Sequence, residues 1–571
     1  MPLHYEFGPF RLQPGARTLS RGGAPVPLTA KAFDVLVALV ERAGQVVQKD
    51  TLMALLWPGA VVEEGNLSQQ VHTARRALGD ADHRYIATVA RRGYQFVAAV
   101  TKRAEPSSVT DASTPSTASL AVLPLRHLGE GPEQEHLGLG LADALITRLS
   151  NVRQVLVRPT SAVRAYTGDV DPRDAGRALG VGWVLEGSFR RDRERLRVTV
   201  QLVGVHDGRP IWGETFNDRV ADPFSAQDAI ARRVTEALVP SLSAEEDRRL
   251  SRSPTSDVQA FEAYLKGRFQ AAKRTREDLQ RAVGLFEEAI ARDPAYAHAH
   301  AALAESLTLL GSAGYEAVER EVLARARAAA RRALEIEPTL AEAHVALAFV
   351  RFRADWDWSG AEASFLRAID LSPGCVSAHH FYGMLLAALG RFEEALASVR
   401  RAEELDALSP NVATAVGRVF HFARRYDEAA AQCRRVVERD PGFPGAHTDL
   451  GMALFQLGRT DEAVGELEKA AELSGGRAVI SAVLGHVLAV AGRTDEAQRL
   501  LDRVHSLAGG THLPAYVLIG LGRDEEALEL LEPACAEKAG LLVFLKVEPL
   551  FDRLRARSRF ERLLERARLA T

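Results

Sequence analysis

The hexapeptide Gly390-Arg391-Phe392-Glu393-Glu394-Ala395 returns as Arg424-Arg425-Tyr426-Asp427-Glu428-Ala429. It comes back again as Gly458-Arg459-Thr460-Asp461-Glu462-Ala463 and as Gly492-Arg493-Thr494-Asp495-Glu496-Ala497. The four alanines are spaced by 34 residues each time, and a looser copy, Gly522 to Ala527, follows 30 residues later. A repeat of this length holds one pair of helices that cannot bury an apolar face alone, so successive pairs must stack into a solenoid. Pro294, Pro338, Pro373, Pro410 and Pro441 are read as stops for the second helices, because proline cannot continue a helix. The small residues Gly383, Gly417, Gly451 and Gly485 let paired helices approach closely. An all-α array is therefore expected over 258–540, with a helical cap at 541–571.

The rest of the chain has different periods, as expected for 571 residues, too many for one core. Near the start, Leu67, Val71, Ala74 and Leu78 fall on one apolar helical stripe. Gln69, His72, Thr73 and Arg76 then point the opposite way. Such side chains can hydrogen-bond base edges, and Arg76 and Arg75 can engage a base or a phosphate. Two alternating runs follow, Tyr85 to Val89 and Tyr94 to Val97, joined at Ala90-Arg91-Arg92-Gly93. That is a hairpin with two arginines at its tip, where Asn-Gly chemistry is the usual choice. Adjacent arginines there fit phosphate or minor-groove contact. This first module is bounded at 1–100, and the Ser/Thr/Pro/Ala-rich segment 101–118 reads as a flexible linker.

A second module is bounded at 119–240. Its pattern predicts a short strand at 120–125, a helix at 138–149 and a strand at 155–157. A short helix follows at 172–179, then strands at 181–190, 196–205 and 210–216, and a closing helix at 227–238. Gly138-Leu139-Gly140 lacks the third glycine and the Lys-Ser/Thr of a nucleotide loop and reads as a helix start.

Charge and composition narrow the function classes. Net charge is −3, with 11 Lys and Arg against 8 Asp and Glu in residues 1–100 and 61 against 67 in the rest. A locally basic module on an acidic body fits specific rather than blanket nucleic-acid binding. Cys375, Cys433 and Cys535 are too few and too scattered for a disulfide framework or a zinc site. His298 with His300, and His379 with His380, read as ordinary helix residues rather than metal pairs, and His72 has no partner at ligand spacing. The tryptophans of Asp355-Trp356-Asp357-Trp358 are expected to pack an inter-helix turn. No signal peptide and no apolar run of membrane-spanning length occur, so a cytoplasmic protein without membrane contact is expected. With no catalytic constellation, cofactor motif or metal motif, an enzyme is not expected.

Residues 1–100 resemble the winged-helix output domain of OmpR/PhoB-type regulators, through YEFGPFRL, TAKAFDVL, LMALLWP, NLSQQVHTARRALGD and IATVARRGYQF in that order. The resemblance implies that the helix at 66–79 enters the major groove of double-stranded DNA, the wing reaches the adjacent minor groove, and the loop around Trp57 touches phosphates. The DNA-binding set it implies is Asn66, Ser68, Gln69, Gln70, His72, Thr73, Arg75 and Arg76 on the helix, Trp57 before it, and Thr88, Arg91, Arg92 and Tyr94 on the wing. Thr73 stands where many members carry an arginine, and Ala90 replaces a frequent wing arginine, so the target sequence does not carry over. No receiver domain is recognised ahead of the module, so control by aspartyl phosphorylation within this chain is not expected.

Residues 119–240 resemble a TolB-like α/β domain through LAVLPL, GLADALITRL, VLVRPTSAV, ALGVGWVLEGSFRR and RLRVTVQLVGVHDGRPIWGETF. The helical repeats are similar to the tetratricopeptide family, above all over 377–500. The expected fold is thus multidomain: a winged helix-turn-helix (α+β), an α/β TolB-like domain, and an all-α tetratricopeptide solenoid. The order resembles soluble relatives of CadC-like one-component regulators. It implies a transcriptional regulator that binds DNA, as two copies on paired half-sites, with a protein or peptide partner in the repeat groove. The alternatives are a tetratricopeptide scaffold whose winged helix docks to protein, and an enzyme within 119–240.

Overall fold

The computed structural model describes residues 3–56, 64–104, 118–239 and 255–569, apart from short gaps at 14–17, 22–23, 27, 29, 81, 91, 130–134, 151, 153, 169, 193–194, 220–222, 274, 313–318 and 509–510. The chain divides into two compact units, Met1–Thr114 and Pro115–Thr571.

In the first unit, β1 (Leu3–Phe7), β2 (Phe10–Gln13), β3 (Thr18–Arg21) and β4 (Ala24–Pro25) form an antiparallel sheet. Three helices follow: α1 (Ala30–Val40), α2 (Lys49–Leu56) and α3 (Glu64–Leu78), with β5 (Val46–Gln48) between the first two. The hairpin of β6 (Ile86–Val89) and β7 (Gly93–Phe96) pairs with β5 in the order β5-β7-β6. Phe7, Phe10, Tyr85 and Phe96 pack as an aromatic cluster, with Phe7 and Phe96 edge to face at 4.9 Å. The module does not end at residue 100. Thr101–Ala104 forms β8, antiparallel to β1 with Glu6 opposite Thr101 and Leu3 opposite Ala104, so the start of the expected linker is sheet.

The second unit opens with a sheet ordered β11-β9-β12-β13-β14. Here β9 is Ala118–Val122, β11 is Val155–Val157, and β12 to β14 are Trp183–Asp192, Arg195–Gly204 and Pro210–Arg219. A short β10 (Arg126–His127) pairs with β12. β9 runs parallel to both of its neighbours, while β12, β13 and β14 form an antiparallel meander. Helix α4 (Glu135–Leu149) joins β9 to β11; α5 (Thr160–Val163) and α6 (Pro172–Leu179) lead back to β12; α7 (Pro223–Leu238) closes the domain. Gly138 of α4 lies against Phe189, and Gly176 of α6 against Val184. Residues 184 and 189 have opposite parity on β12, so the two helices cover opposite faces of the sheet.

The remainder is helical. Its first four pairs are α8 (Val258–Lys273) with α9 (Arg276–Arg292), α10 (Ala297–Ser312) with α11 (Glu319–Ile336), α12 (Ala341–Val350) with α13 (Trp358–Leu371), and α14 (Val376–Ala388) with α15 (Phe392–Leu405). The next four are α16 (Pro410–Phe422) with α17 (Tyr426–Arg439), α18 (Pro444–Gln456) with α19 (Thr460–Leu473), α20 (Ala478–Val490) with α21 (Thr494–Leu507), and α22 (Pro514–Gly520) with α23 (Asp524–Ala536). The repeated Arg-x-x-Glu spans the turn into each second helix. Arg391, Arg425, Arg459, Arg493 and Arg523 occupy the cap position and fork onto Glu394, Glu428, Glu462, Glu496 and Glu526. The small residues close the pairs as expected: a Cβ on Gly383 would lie 2.5 Å from Val399, and one on Gly417 2.5 Å from the Cys433 sulfur.

Pro294, Pro338, Pro373 and Pro441 stand two residues beyond their helices, as read from the sequence. Pro410 instead opens α16, where a missing N–H costs nothing. Each of the four terminating prolines offers its carbonyl to a histidine six residues on: His300 (3.2 Å), His344, His379 and His447 (3.0 Å each). These imidazoles staple the turns between repeats. Trp356 and Trp358 stack at 6.2 Å, and the Trp358 indole donates to the Ala567 carbonyl at 3.0 Å, tying the third pair to the tail that ends in α24 (Ser558–Arg566). Burial pushes the Cys375 thiol up to about 12 and raises those of Cys433 and Cys535, as befits core thiols. Among the described residues, no helix is long and apolar enough to cross a membrane, and no cluster of His, Cys, Asp and Glu is placed to hold a metal ion.

The histidines make stability depend on pH. Burial lowers the pKa of His300, His344, His379 and His486, and brings His512 down to about 4. The unfolded chain takes up protons at these rings below roughly pH 6.5 while the folded chain resists. Stability is therefore complete above that pH and falls as pH drops towards the folded values. The melting temperature should decline between pH 7.5 and 5, and His512→Leu should flatten part of the decline; a melt independent of pH in this window would contradict the assignment.

Candidate nucleic-acid interface

Helix α3 is held by the stripe read from the sequence: Leu67, Val71, Ala74 and Leu78 are all buried against α1 and α2. The opposite side is presented to solvent, with Asn66, Ser68, Gln69, His72 and Arg76 exposed and Gln70 and Thr73 half-buried. The Thr73 hydroxyl donates to the Gln69 carbonyl at 2.9 Å. Thr88 and Arg92 are exposed on the wing, whose turn closes through Arg92 N–H to the Val89 carbonyl at 3.0 Å. Trp57 and Arg91 lie outside the described residues.

Two residues of the expected set occupy other positions in the architecture. Arg75 lies beside the buried stripe, not opposite it. Its guanidinium donates to the Ile86 carbonyl through Nε (3.1 Å) and Nη2 (2.8 Å), and Nη2 also reaches the Thr88 hydroxyl at 2.8 Å. It is a strut from helix to wing. Tyr94 is buried at 5% exposure, with its hydroxyl 3.3 Å from that of Ser68. It shares strand parity with Phe96, so its ring belongs to the core.

Sequence reading did not single out Asp80, which completes this brace. Its Oδ1 accepts from the Tyr85 N–H at 3.0 Å and its Oδ2 from the Ile86 N–H at 2.9 Å, and the side chain is buried. Ile86 is thus gripped at its N–H by Asp80 and at its carbonyl by Arg75. The only hint in the sequence is an acid directly after the Leu78-Gly79 helix end. Gly93 has its own reason: a Cβ there would lie 2.0 Å from the Val47 carbonyl, so only glycine lets β7 lie against β5. The result is a polar helix face and a basic turn fixed relative to each other by buried groups, the arrangement that major-groove readout with a wing contact requires.

Comparison with known proteins agrees with this geometry. Residues 23–96 match the family "Transcriptional regulatory protein, C terminal", and residues 116–233 match "HilA/YgeH-like transcriptional regulator, second domain". Tetratricopeptide repeat families match 351–410, 417–478 and 478–503. The transcriptional regulator HilA of Salmonella typhimurium is 25% identical over 394 residues, covering 68% of each chain. The transcriptional activator CadC of Escherichia coli K12 is 30% identical over 96 residues, 16% of this chain and 19% of CadC. A Rhizobium meliloti protein provisionally named adenylate cyclase 3 is 31% identical over 258 residues, so the match spans 44% of either chain, less than half of that relative. The middle segment, read as TolB-like, is thus matched by a HilA/YgeH-like regulator domain. The chain joins a winged-helix domain of the transcriptional regulatory protein C-terminal family, a HilA/YgeH-like second domain and a tetratricopeptide array in one polypeptide.

Proposed function

We propose that this protein is a sequence-specific DNA-binding transcriptional regulator. The observation that carries the reading is the solvent-facing row of Gln69, His72 and Arg76, opposite the buried stripe of α3 and braced to the wing through Arg75 and Asp80. In this reading Gln69, His72, Thr73 and Arg76 face base edges, with Asn66, Ser68 and Gln70 at the margin of the helix. Arg92 and Thr88, together with Arg91 and Trp57, position the domain through phosphates. Arg75 and Tyr94 act as positioning residues. One winged helix spans few base pairs, so useful affinity calls for two copies on paired half-sites. The chain acts by binding, not catalysis, and the cyclase name stays with the Rhizobium relative.

The repeats add a protein-contact surface, but their groove is not uniformly open to a peptide. First helices of successive pairs pack on one another more closely than second helices do, so they line the inside of the curve. The α/β domain occupies part of that inner face. Arg158 donates to the Leu405 carbonyl at 3.1 Å, Ser161 reaches Asp406, and Asp143 of α4 pairs with Arg268 of α8. A partner protein therefore uses the later pairs or the outer surface.

The test separates readout from positioning. Arg76→Ala should change which duplexes are preferred, costing ~1–3 kcal/mol on the best one. Arg92→Ala should weaken all duplexes alike and reduce the slope of log affinity against log salt by about one. Equal, sequence-independent losses from both variants would remove the assignment of α3 as the reading helix.

A further inference from the structure

We propose that the α/β domain carries a binding site for a small phosphorylated molecule with a ring-bearing body, of the nucleoside monophosphate kind, beyond the carboxyl end of β9. The first observation is topological. The connection leaving β9 runs through α4 on one face of the sheet to β11, and the connection leaving β11 runs through α6 on the other face to β12. The three parallel strands stand in the order β11-β9-β12, second, first and third along the chain, so the strand order reverses at β9, and the crevice outside the carboxyl end at such a reversal is the place where open α/β sheets take ligands.

The second observation is the cavity found there, with a volume of about 950 Å³. That is the size range of small-molecule sites. Its wall is made by the segment after β9, the turn after α5 and the last turn of α8. Each segment brings a base to the opening: Arg126 and His127 from the first, Arg164 from the second and Lys273 from the third, with no Asp or Glu among the described lining residues. Apolar surface lies beside them in Leu139 and the half-buried ring of Phe269.

The basic groups are held in place by the fold. Arg164 donates through Nη1 to the Ala272 carbonyl at 2.6 Å, which leaves the other guanidinium nitrogens to face an anion. The Lys273 ammonium sits 4.7 Å from the centre of the Phe269 ring and 3.1 Å from Gln270 Oε1, with Asp278 further off at 3.8 Å. The His127 ring packs on Phe189 at 5.0 Å between centroids. Bases converging from three segments suit a phosphoryl group, which offers up to two charges and three acceptor oxygens. The Phe269 and Leu139 surface suits a flat ring beside it. Lys273 belongs to the repeat array and Arg126 to the sheet domain, so one ligand would join the two and stabilise their docking. The site is independent of the winged helix and does not rest on the DNA-binding reading.

The experiment is titration calorimetry of the full chain at low salt with adenosine monophosphate, adenosine and inorganic phosphate as probes. Adenosine monophosphate should bind at micromolar to millimolar concentration, adenosine should show no heat, and inorganic phosphate should bind at least about tenfold more weakly than the nucleotide. Arg126→Glu and Lys273→Glu should each weaken the nucleotide at least about tenfold. Lys273→Ala, which removes the ammonium together with its contacts to Phe269, Gln270 and Asp278, should also weaken it while the free variant keeps the helical content of the wild type. The proposal is overturned by absence of nucleotide binding at millimolar concentration, by adenosine binding as well as its phosphate, or by affinities that the Arg126 and Lys273 variants leave unaltered.

Discussion

Replacing Arg268 by alanine is expected to cost about 3–5 kcal/mol of stability, the usual price of stranding buried charge. The Arg268 side chain, 18% exposed, donates through Nε and Nη2 to Asp143, the latter at 2.9 Å, and through Nη1 to Glu305 Oε2 at 3.1 Å. Asp143 is 3% exposed and also accepts from the Thr160 hydroxyl. Without the guanidinium, two carboxylates would face each other in the seam between the α/β domain and the first repeats. Arg268→Lys keeps the charge but cannot fork between two carboxylates, so it should fall between wild type and alanine. Urea unfolding of the full chain checks this, and a loss from Arg268→Ala below about 1 kcal/mol, ordinary for any substitution, would contradict it.

The second large effect is expected at Asp80, which touches no candidate base contact. Asp80→Ala removes two hydrogen bonds to a carboxylate, at ~1.5–3 kcal/mol each. It leaves the N–H groups of Tyr85 and Ile86 without their acceptors at the base of the wing. A loss of roughly 3–5 kcal/mol in the first unit follows. Asp80→Asn, with one acceptor oxygen left, should lose about half as much. DNA affinity should fall with stability in both variants, because the wing would no longer be held against α3. Unchanged thermal unfolding of the first unit, followed by proteolysis of its helices, would contradict the role given to this residue.

Local patterns made much of the architecture legible. The 34-residue spacing, the stripe at Leu67, Val71, Ala74 and Leu78, and the three long strands of the middle domain each follow from periodicities within one or two elements. What stayed hidden depends on partners far along the chain. Thr101-Lys102-Arg103-Ala104 has no alternating apolar face and becomes a strand only because β1 lies beside it. Arg75 reads as a DNA contact until the Ile86 carbonyl is placed next to its guanidinium. Tyr94 was readable in principle, since it shares a strand face with Phe96. Asp143 and Arg268 are 125 residues apart, and nothing in either local sequence points to the other. The docking of the α/β domain on the inner face of the repeats is of this kind, and it changes the expected peptide groove most.

The central claim is that α3 reads a sequence in duplex DNA. The most direct measurement is selection of bound duplexes from a randomised pool by the full chain, followed by affinity titration of the winners against the starting pool at several salt concentrations. The account predicts a defined enriched sequence, bound at least about tenfold more tightly than the pool, with Arg76→Ala changing the enriched bases. A pool that emerges without enrichment, with no binding even at low salt, would contradict it.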